Sequence, residues 1–175
     1  MVNRRPAFDE IYIHPPLLEA CAHVIREPFK LSSLLARTLR AKTPAQDLHI
    51  DLPRDSKDAP MVGFILMIDP FQRYNGATRF VPASQNWPDV PSGRPLNTGS
   101  DWPGQVLACG ERGSMIIFNG AIWHGHTANL TLKPRRSVQG YFVRRSAVSG
   151  LNFGERMLPE TLNRISPLGR YLVAV

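Results

Sequence analysis

SMIIFNGAIWHGHTANLTLKPRRSVQGYFVRR, residues 114–145, holds two short β-rich runs, SMIIFNG and SVQGYFVRR, on either side of a polar segment that carries His124, His126 and Arg135. Short runs of β-branched and aromatic residues bounded by Gly, Asn or Pro read as strands. Runs of the same kind recur upstream as LHID (48–51), MVGFILMI (61–68), TRFVP (78–82) and QVLAC (105–109). Asp69-Pro70 and Asn75-Gly76 between them mark turns. Several short strands with few helical stretches predict a mainly β chain folded as an antiparallel, double-sheet jelly roll.

Helical spacing shows clearly only near the start. After His14, Pro15 and Pro16, the segment LLEACAHVIRE places Leu17, Leu18, Cys21, Val24 and Ile25 on one side, with Pro28 as the stop. KLSSLLARTLRA (30–41) suits either a helix or a strand. SQNWPDVPSGRPLNTGSDWPG (84–104) is rich in Pro, Gly, Ser and Asp and is expected to be a long loop. It reads equally well as a lid and as a surface excursion held by Trp87 and Trp102 packing onto the sheet.

At 175 residues and 43% hydrophobic content, one domain with a substantial core is expected without help from disulfides. Its organisation divides into an N-terminal helix and strand arm (1–45), a β core (46–146) and a C-terminal segment (147–175). Cys21 and Cys109 are far apart and form no Cys-x-x-Cys, which points to buried small residues or free thiols in a reducing cytoplasm. The start lacks an apolar run of signal length, and no stretch approaches the roughly 20 apolar residues that span a bilayer, so a soluble protein is expected. The net charge of +7 comes from scattered or paired Arg, such as Arg4 with Arg5 and Arg144 with Arg145. Without a basic groove interleaved with aromatics, nucleic acid is not the expected partner. Gly-x-Ser-x-Gly, the phosphate-binding Gly-x-x-x-x-Gly-Lys and Gly-x-Gly-x-x-Gly are absent, which removes the common hydrolase and nucleotide readings.

The chemistry concentrates elsewhere. On a strand, His49 and Asp51 project from the same face. Alone, the pair reads as two polar residues on a surface strand. With His124 far downstream it makes two imidazoles and one carboxylate, a set that occupies one face of a ferrous ion and leaves the other positions open. Structural zinc sites instead close all four positions. An Arg fork matches a carboxylate bidentately, and Arg135 competes for that role with Arg136, since neighbours on a strand face opposite ways. A divalent metal, Asp51, one Arg and a dicarboxylate sum to zero charge, which suits a partly desolvated pocket and a 2-oxo diacid. His126 raises a rival metal pair of the cupin type with His124.

QDLHID (46–51), NGATRFVPASQ (75–85), WHGHTANLTLKPRRSVQGYFVRR (123–145) and LPETLNRISPLGRYLV (158–173) together resemble the phytanoyl-CoA dioxygenase family of Fe(II)- and 2-oxoglutarate-dependent oxygenases. The resemblance implies a double-stranded β-helix, makes the ambiguous 30–41 segment a strand, and implies His49, Asp51 and His124 as iron ligands. It selects Arg135 over Arg136 as the anchor of the distal carboxylate of 2-oxoglutarate, and places His126 against co-substrate or substrate. Gln46 and Thr78, beside the expected cavity, are further candidates to hydrogen-bond 2-oxoglutarate. The implied reaction consumes O2 and 2-oxoglutarate, releases succinate and CO2, and oxidises a C–H bond of a small molecule, usually to the alcohol.

Two features depart from the family pattern. Only 48 residues precede the His-x-Asp, so part of the pocket wall is expected to be missing, which a partner subunit in a homo-oligomer would supply. The family's Pro-Gly-Ser-His corner reads Pro82, Ala83, Ser84, Gln85. Two other functions stay open at this level: a catalytically silent, cupin-like metal- or ligand-binding protein, and an oxygenase of the same superfamily directed at nucleic acid.

Overall fold

The computed structural model describes residues 1–55, 60–87 and 101–175. Among the described residues, seven strands form two antiparallel sheets. β1 (Phe29–Leu39), β7 (Arg135–Arg144), β2 (Met61–Met67) and β5 (Met115–Asn119) lie side by side in that order in the larger sheet. β4 (Val106–Ala108), β3 (Thr78–Phe80) and β6 (His124–His126) make the smaller one. This is the expected double-sheet jelly roll, the double-stranded β-helix. The 30–41 segment resolves as a strand through Leu39, because β1 pairs with β7 along almost its whole length, with Leu34 opposite Gly140 and Arg37 opposite Ser137.

Alternation sorts the larger sheet into two faces. Leu34, Val62, Phe64, Val138 and Phe142 point outward into a cluster with Tyr12, Leu17, Cys21, Ile25 and Leu172. That cluster is covered by α2 (Pro15–Ile25) and α5 (Pro167–Val173). Pro15 and Pro16 suit the first turn of α2, where the missing N–H would have no partner. Leu17, Cys21 and Ile25 then recur every fourth residue as its buried stripe. The helix stops earlier than Pro28 would require: Arg26 turns left-handed at φ 56° and its N–H caps the carbonyl of Ala22 at 3.2 Å. The opposite face of the sheet carries Ile65, Met67 and Phe118, which pack with Phe71 and Ala77 between the sheets. Burying a side chain of this size contributes about 1.5–3 kcal/mol, so the outer cluster fixes the helices to the larger sheet and the inner one fixes how the sheets face each other.

One expectation needs correction. LHID does not form a strand: His49 makes a single bridge to His124, after which Asp51 and Leu52 both turn their N–H groups onto the carbonyl of Gly120, at 3.0 and 3.1 Å. The C-terminal segment contains α3 (Phe153–Arg156), α4 (Pro159–Arg164) and α5, with α1 (Asp9–Tyr12) at the other end of the chain.

Most of the loop expected over 84–104 lies outside the described residues. Its flanks are tied together, with the Trp87 and Trp102 rings 6.0 Å apart and Trp102 packed beside Leu48, Val81 and Trp123. Among the described residues, no helix is long and apolar enough to cross a membrane.

Candidate active site

The His-x-Asp segment reaches the site by lying against β6. Gln46 donates its N–H to the carbonyl of His126 at 2.9 Å, and His49 and His124 exchange two backbone hydrogen bonds of 2.9 Å. This approach requires Gly125, between His124 and His126, since a Cβ there would stand 2.9 Å from the carbonyl oxygen of Asp47 and 3.1 Å from that of Gln46. His124 is also held from behind: the N–H of Trp123 donates to the buried hydroxyl of Ser84 at 2.9 Å. Ser84 belongs to the divergent Pro82–Gln85 corner, so that corner keeps a structural purpose despite its altered sequence.

His49, Asp51 and His124 form the group of ligand-bearing side chains found among the described residues, with one donor atom from each lying within 4.8 Å of the others. The His124 Nε2 stands 3.4 Å from Oδ2 of Asp51, and the His49 Nε2 stands 3.8 Å from Oδ1. The other ring nitrogens are occupied by backbone: Nδ1 of His124 faces the carbonyl of Ile122 at 2.9 Å and Nδ1 of His49 that of Asp47 at 3.1 Å. A proton on each Nδ1 leaves both Nε2 lone pairs free, which is the tautomer a metal needs. Burial holds the His124 pKa below its ordinary value, against the opposing pull of Asp51, and so favours the neutral ring. Oδ2 of Asp51 is buried without a hydrogen-bond partner. A divalent cation would satisfy that oxygen, and donors about 2.1 Å from an octahedral ion stand about 3 Å apart, so the three side chains, now 3.4 and 3.8 Å apart at these atoms, would draw in slightly around it. The residues therefore fit a metal. Phe80 stacks on the His124 ring at 5.7 Å and Phe118 leans on it at 4.8 Å, limiting its rotation and keeping that side dry.

The pocket beside this group lies between the sheets. Arg135 reaches it from β7 and is 2% exposed, whereas Arg136 faces outward and grips Asp69 with Nε and Nη2, each at 2.8 Å. Nε and Nη1 of Arg135 have no hydrogen-bond partner. Burial, reinforced by the like charge of Arg37, lowers its pKa to about 10, which still leaves it cationic at neutral pH. Gln46, Thr78 and His126 line the same pocket, with Thr78 and His126 paired across β3 and β6. His126 stays outside the metal grouping, its Nδ1 3.0 Å from the carbonyl of Thr127. Asn129 is buried and bonds the carbonyls of Arg40 and Lys133, a scaffolding task.

Three polar pocket residues were not singled out from the sequence: Arg37, Gln139 and Tyr141. Gln139 and Tyr141 follow from strand alternation once Arg135 is taken to point inward, a signal that was available. Arg37 requires knowing that β1 pairs with β7, a long-range fact that local sequence does not carry. Tyr141 is held with its pKa raised to about 12, first by burial and then by the neighbouring Asp51 carboxylate, so it is a neutral phenol at the edge of the metal group.

The family model described as phytanoyl-CoA dioxygenase (PhyH) matches residues 3–137. Among curated proteins, the dioxygenase cdmA of Talaromyces verruculosus is 33% identical over 95 residues, covering 49% of this chain and 30% of that protein. The multifunctional dioxygenase ausE of Emericella nidulans is 28% identical over 155 residues, covering 78% and 51%. This chain thus spans about half or less of the length of these relatives. Among solved structures, HygX from Streptomyces hygroscopicus with nickel and 2-oxoglutarate bound superimposes with a TM-score of 0.69 at 15% identity, over 85% of this chain and 69% of that one. The non-heme alpha-ketoglutarate-dependent epimerase SnoN from nogalamycin biosynthesis gives 0.67 at 18% identity, over 90% and 62%. The two structural likenesses speak for the fold, and the family match, which covers most of the chain, speaks for descent: the protein belongs to the phytanoyl-CoA dioxygenase family.

Proposed function

We propose that this protein is a non-haem Fe(II)- and 2-oxoglutarate-dependent dioxygenase that hydroxylates, or otherwise oxidises, a C–H bond of a small organic molecule, with succinate and CO2 as co-products. The observation that carries the reading is one pocket with two unmet demands. A His-Asp-His group has a buried carboxylate oxygen without a partner, and a buried arginine has two N–H-bearing nitrogens without acceptors. A cation answers the first and a carboxylate the second. The names of the relatives, dioxygenases, and the 2-oxoglutarate bound in the similarly folded HygX support the same assignment.

His49, Asp51 and His124 would hold the iron, which when bound supplies O2 activation coupled to oxidative decarboxylation of the 2-oxo acid. The remaining work falls to the chain itself. Arg135 pairs with the distal carboxylate of 2-oxoglutarate. Arg37 adds a second positive charge, so the pocket with its metal is cationic until a dianion arrives. Thr78, Gln46 and His126 are within the same pocket to accept or donate hydrogen bonds to the co-substrate. Phe80 and Phe118 keep water from the His124 side and hold its Nε2 on target.

The test is an anaerobic titration with Fe(II) and then 2-oxoglutarate, following the weak visible charge-transfer band that a chelated 2-oxo acid produces. The band is expected in the wild type and should vanish in Asp51→Ala. Metal binding with no band, and no 2-oxoglutarate consumption after O2 is admitted, would instead assign the chain as a silent, cupin-like metal-binding protein.

A further inference from the structure

We propose that Phe71 is the positioning residue that confers preference for a diacid co-substrate, by holding the Arg135 guanidinium flat with its edge free to receive the distal carboxylate. The inference rests on the reading of Arg135 as the carboxylate anchor. A buried arginine is ordinarily oriented by an acid beside it. Here the nearby acid is already taken, because Asp69 accepts three hydrogen bonds of 2.8 Å from the N–H, Nε and Nη2 of Arg136. Arg135 has no hydrogen bond at Nε or Nη1, and what it does have is a ring: its guanidinium carbon lies 3.8 Å from the centroid of Phe71.

Stacking fixes the plane of a guanidinium while leaving its in-plane donors unused, and those are the atoms a carboxylate engages bidentately. The ring itself is not free to move. Phe71 is 1% exposed, follows Pro70, and is bridged to Gly110 through both its N–H at 2.8 Å and its carbonyl at 3.0 Å. An acid in place of the ring would orient Arg135 equally well but would cancel its charge and compete with the co-substrate. An aromatic face orients without competing.

The experiment compares binding of 2-oxoglutarate and of 2-oxopentanoate, which has the same chain length but no distal carboxylate, to the anaerobic Fe(II) protein. Wild type should prefer 2-oxoglutarate. Phe71→Leu should weaken 2-oxoglutarate about tenfold, the scale of a desolvated cation–π contact, and leave 2-oxopentanoate and Fe(II) binding unchanged. Phe71→Tyr, which keeps the ring face, should restore the preference. Equal weakening of both acids, or of neither, would overturn the proposal, the first outcome marking Phe71 as general core support. If the wild type itself shows no preference, the anchor role of Arg135 fails and the proposal falls with it. Should Phe71→Leu not fold, Phe71→Met fills the space with a flexible apolar chain lacking a ring face and serves the same comparison.

Discussion

On β6, His124 and His126 lie two positions apart and share a strand face, so periodicity alone offers no reason to prefer one as a metal ligand. What separates them is their surroundings: Nε2 of His124 stands 3.4 Å from Asp51, with its other nitrogen on a backbone carbonyl, while His126 falls outside the group. His124→Ala should therefore abolish tight Fe(II) binding, and His126→Ala should retain it while weakening 2-oxoglutarate. Equilibrium dialysis against Fe(II) under anaerobic conditions decides this, and loss of the metal in His126→Ala with retention in His124→Ala would invert the assignment. At this scale the sequence was informative wherever chemistry restricts residue type. His49, Asp51, His124 and Arg135 could be named because few side chains serve as metal ligands or carboxylate forks. Arg37 and Phe71 could not, since an Arg and a Phe acquire their tasks only from the partner that folding brings beside them.

The strands themselves were legible in proportion to their length and alternation. β1, β2, β5 and β7 each run for five residues or more, enough for inward and outward positions to show. β3, β4 and β6 have three residues each, too few to show a period; β3 and β4 were still legible as the β-rich runs TRFVP and QVLAC, whereas β6 was not. The C-terminal helices are short as well, although Ser166-Pro167 is a recognisable start signal: the Ser166 hydroxyl caps α5 by accepting the Gly169 N–H at 3.1 Å. The most consequential meeting of elements is the crossing of the 46–49 segment over β6, which only Gly125 permits. Gly125→Ala would force those carbonyls to yield, because a Cβ cannot rest 2.9 Å from a backbone oxygen. Overpacking of this kind costs about 1–3 kcal/mol of stability. The cost should fall unevenly, with Fe(II) affinity dropping in step because His49 rides on the displaced segment. Urea denaturation and metal titration of the same variant test this, and unchanged affinity alongside lowered stability would show that the segment shifts without carrying His49 away.

The molecule as a whole is two sheets of unequal support. The larger has helices on one face and the inter-sheet core on the other. The His-x-Asp segment, which lies between β1 and β2 in the chain and in neither sheet, is joined to the smaller sheet by a bridge at His49 and a hydrogen bond at Gln46. A metal ion held by His49, Asp51 and His124 adds a link between those two parts of the chain, one that an unfolded chain does not offer in assembled form. Binding to the native state alone stabilises it by mass action, about 2.7 kcal/mol when free metal is a hundredfold above its dissociation constant. For a domain of this size that corresponds to a rise in Tm of about 5–10 °C. Anaerobic thermal unfolding with Fe(II) should show this rise, a further rise when 2-oxoglutarate is added to the metal-loaded protein, and full reversal by a chelator. Because Arg135 and Arg37 are cationic without metal, 2-oxoglutarate alone should stabilise as well, but by less than it does on top of the metal, since chelation is then lost and only charge pairing remains. Asp51→Ala separates the two contributions: it should lose the metal-dependent rise and keep the small one from 2-oxoglutarate. An undiminished metal response in that variant would mean that the ion binds elsewhere on the chain, and the proposed centre would have to be abandoned.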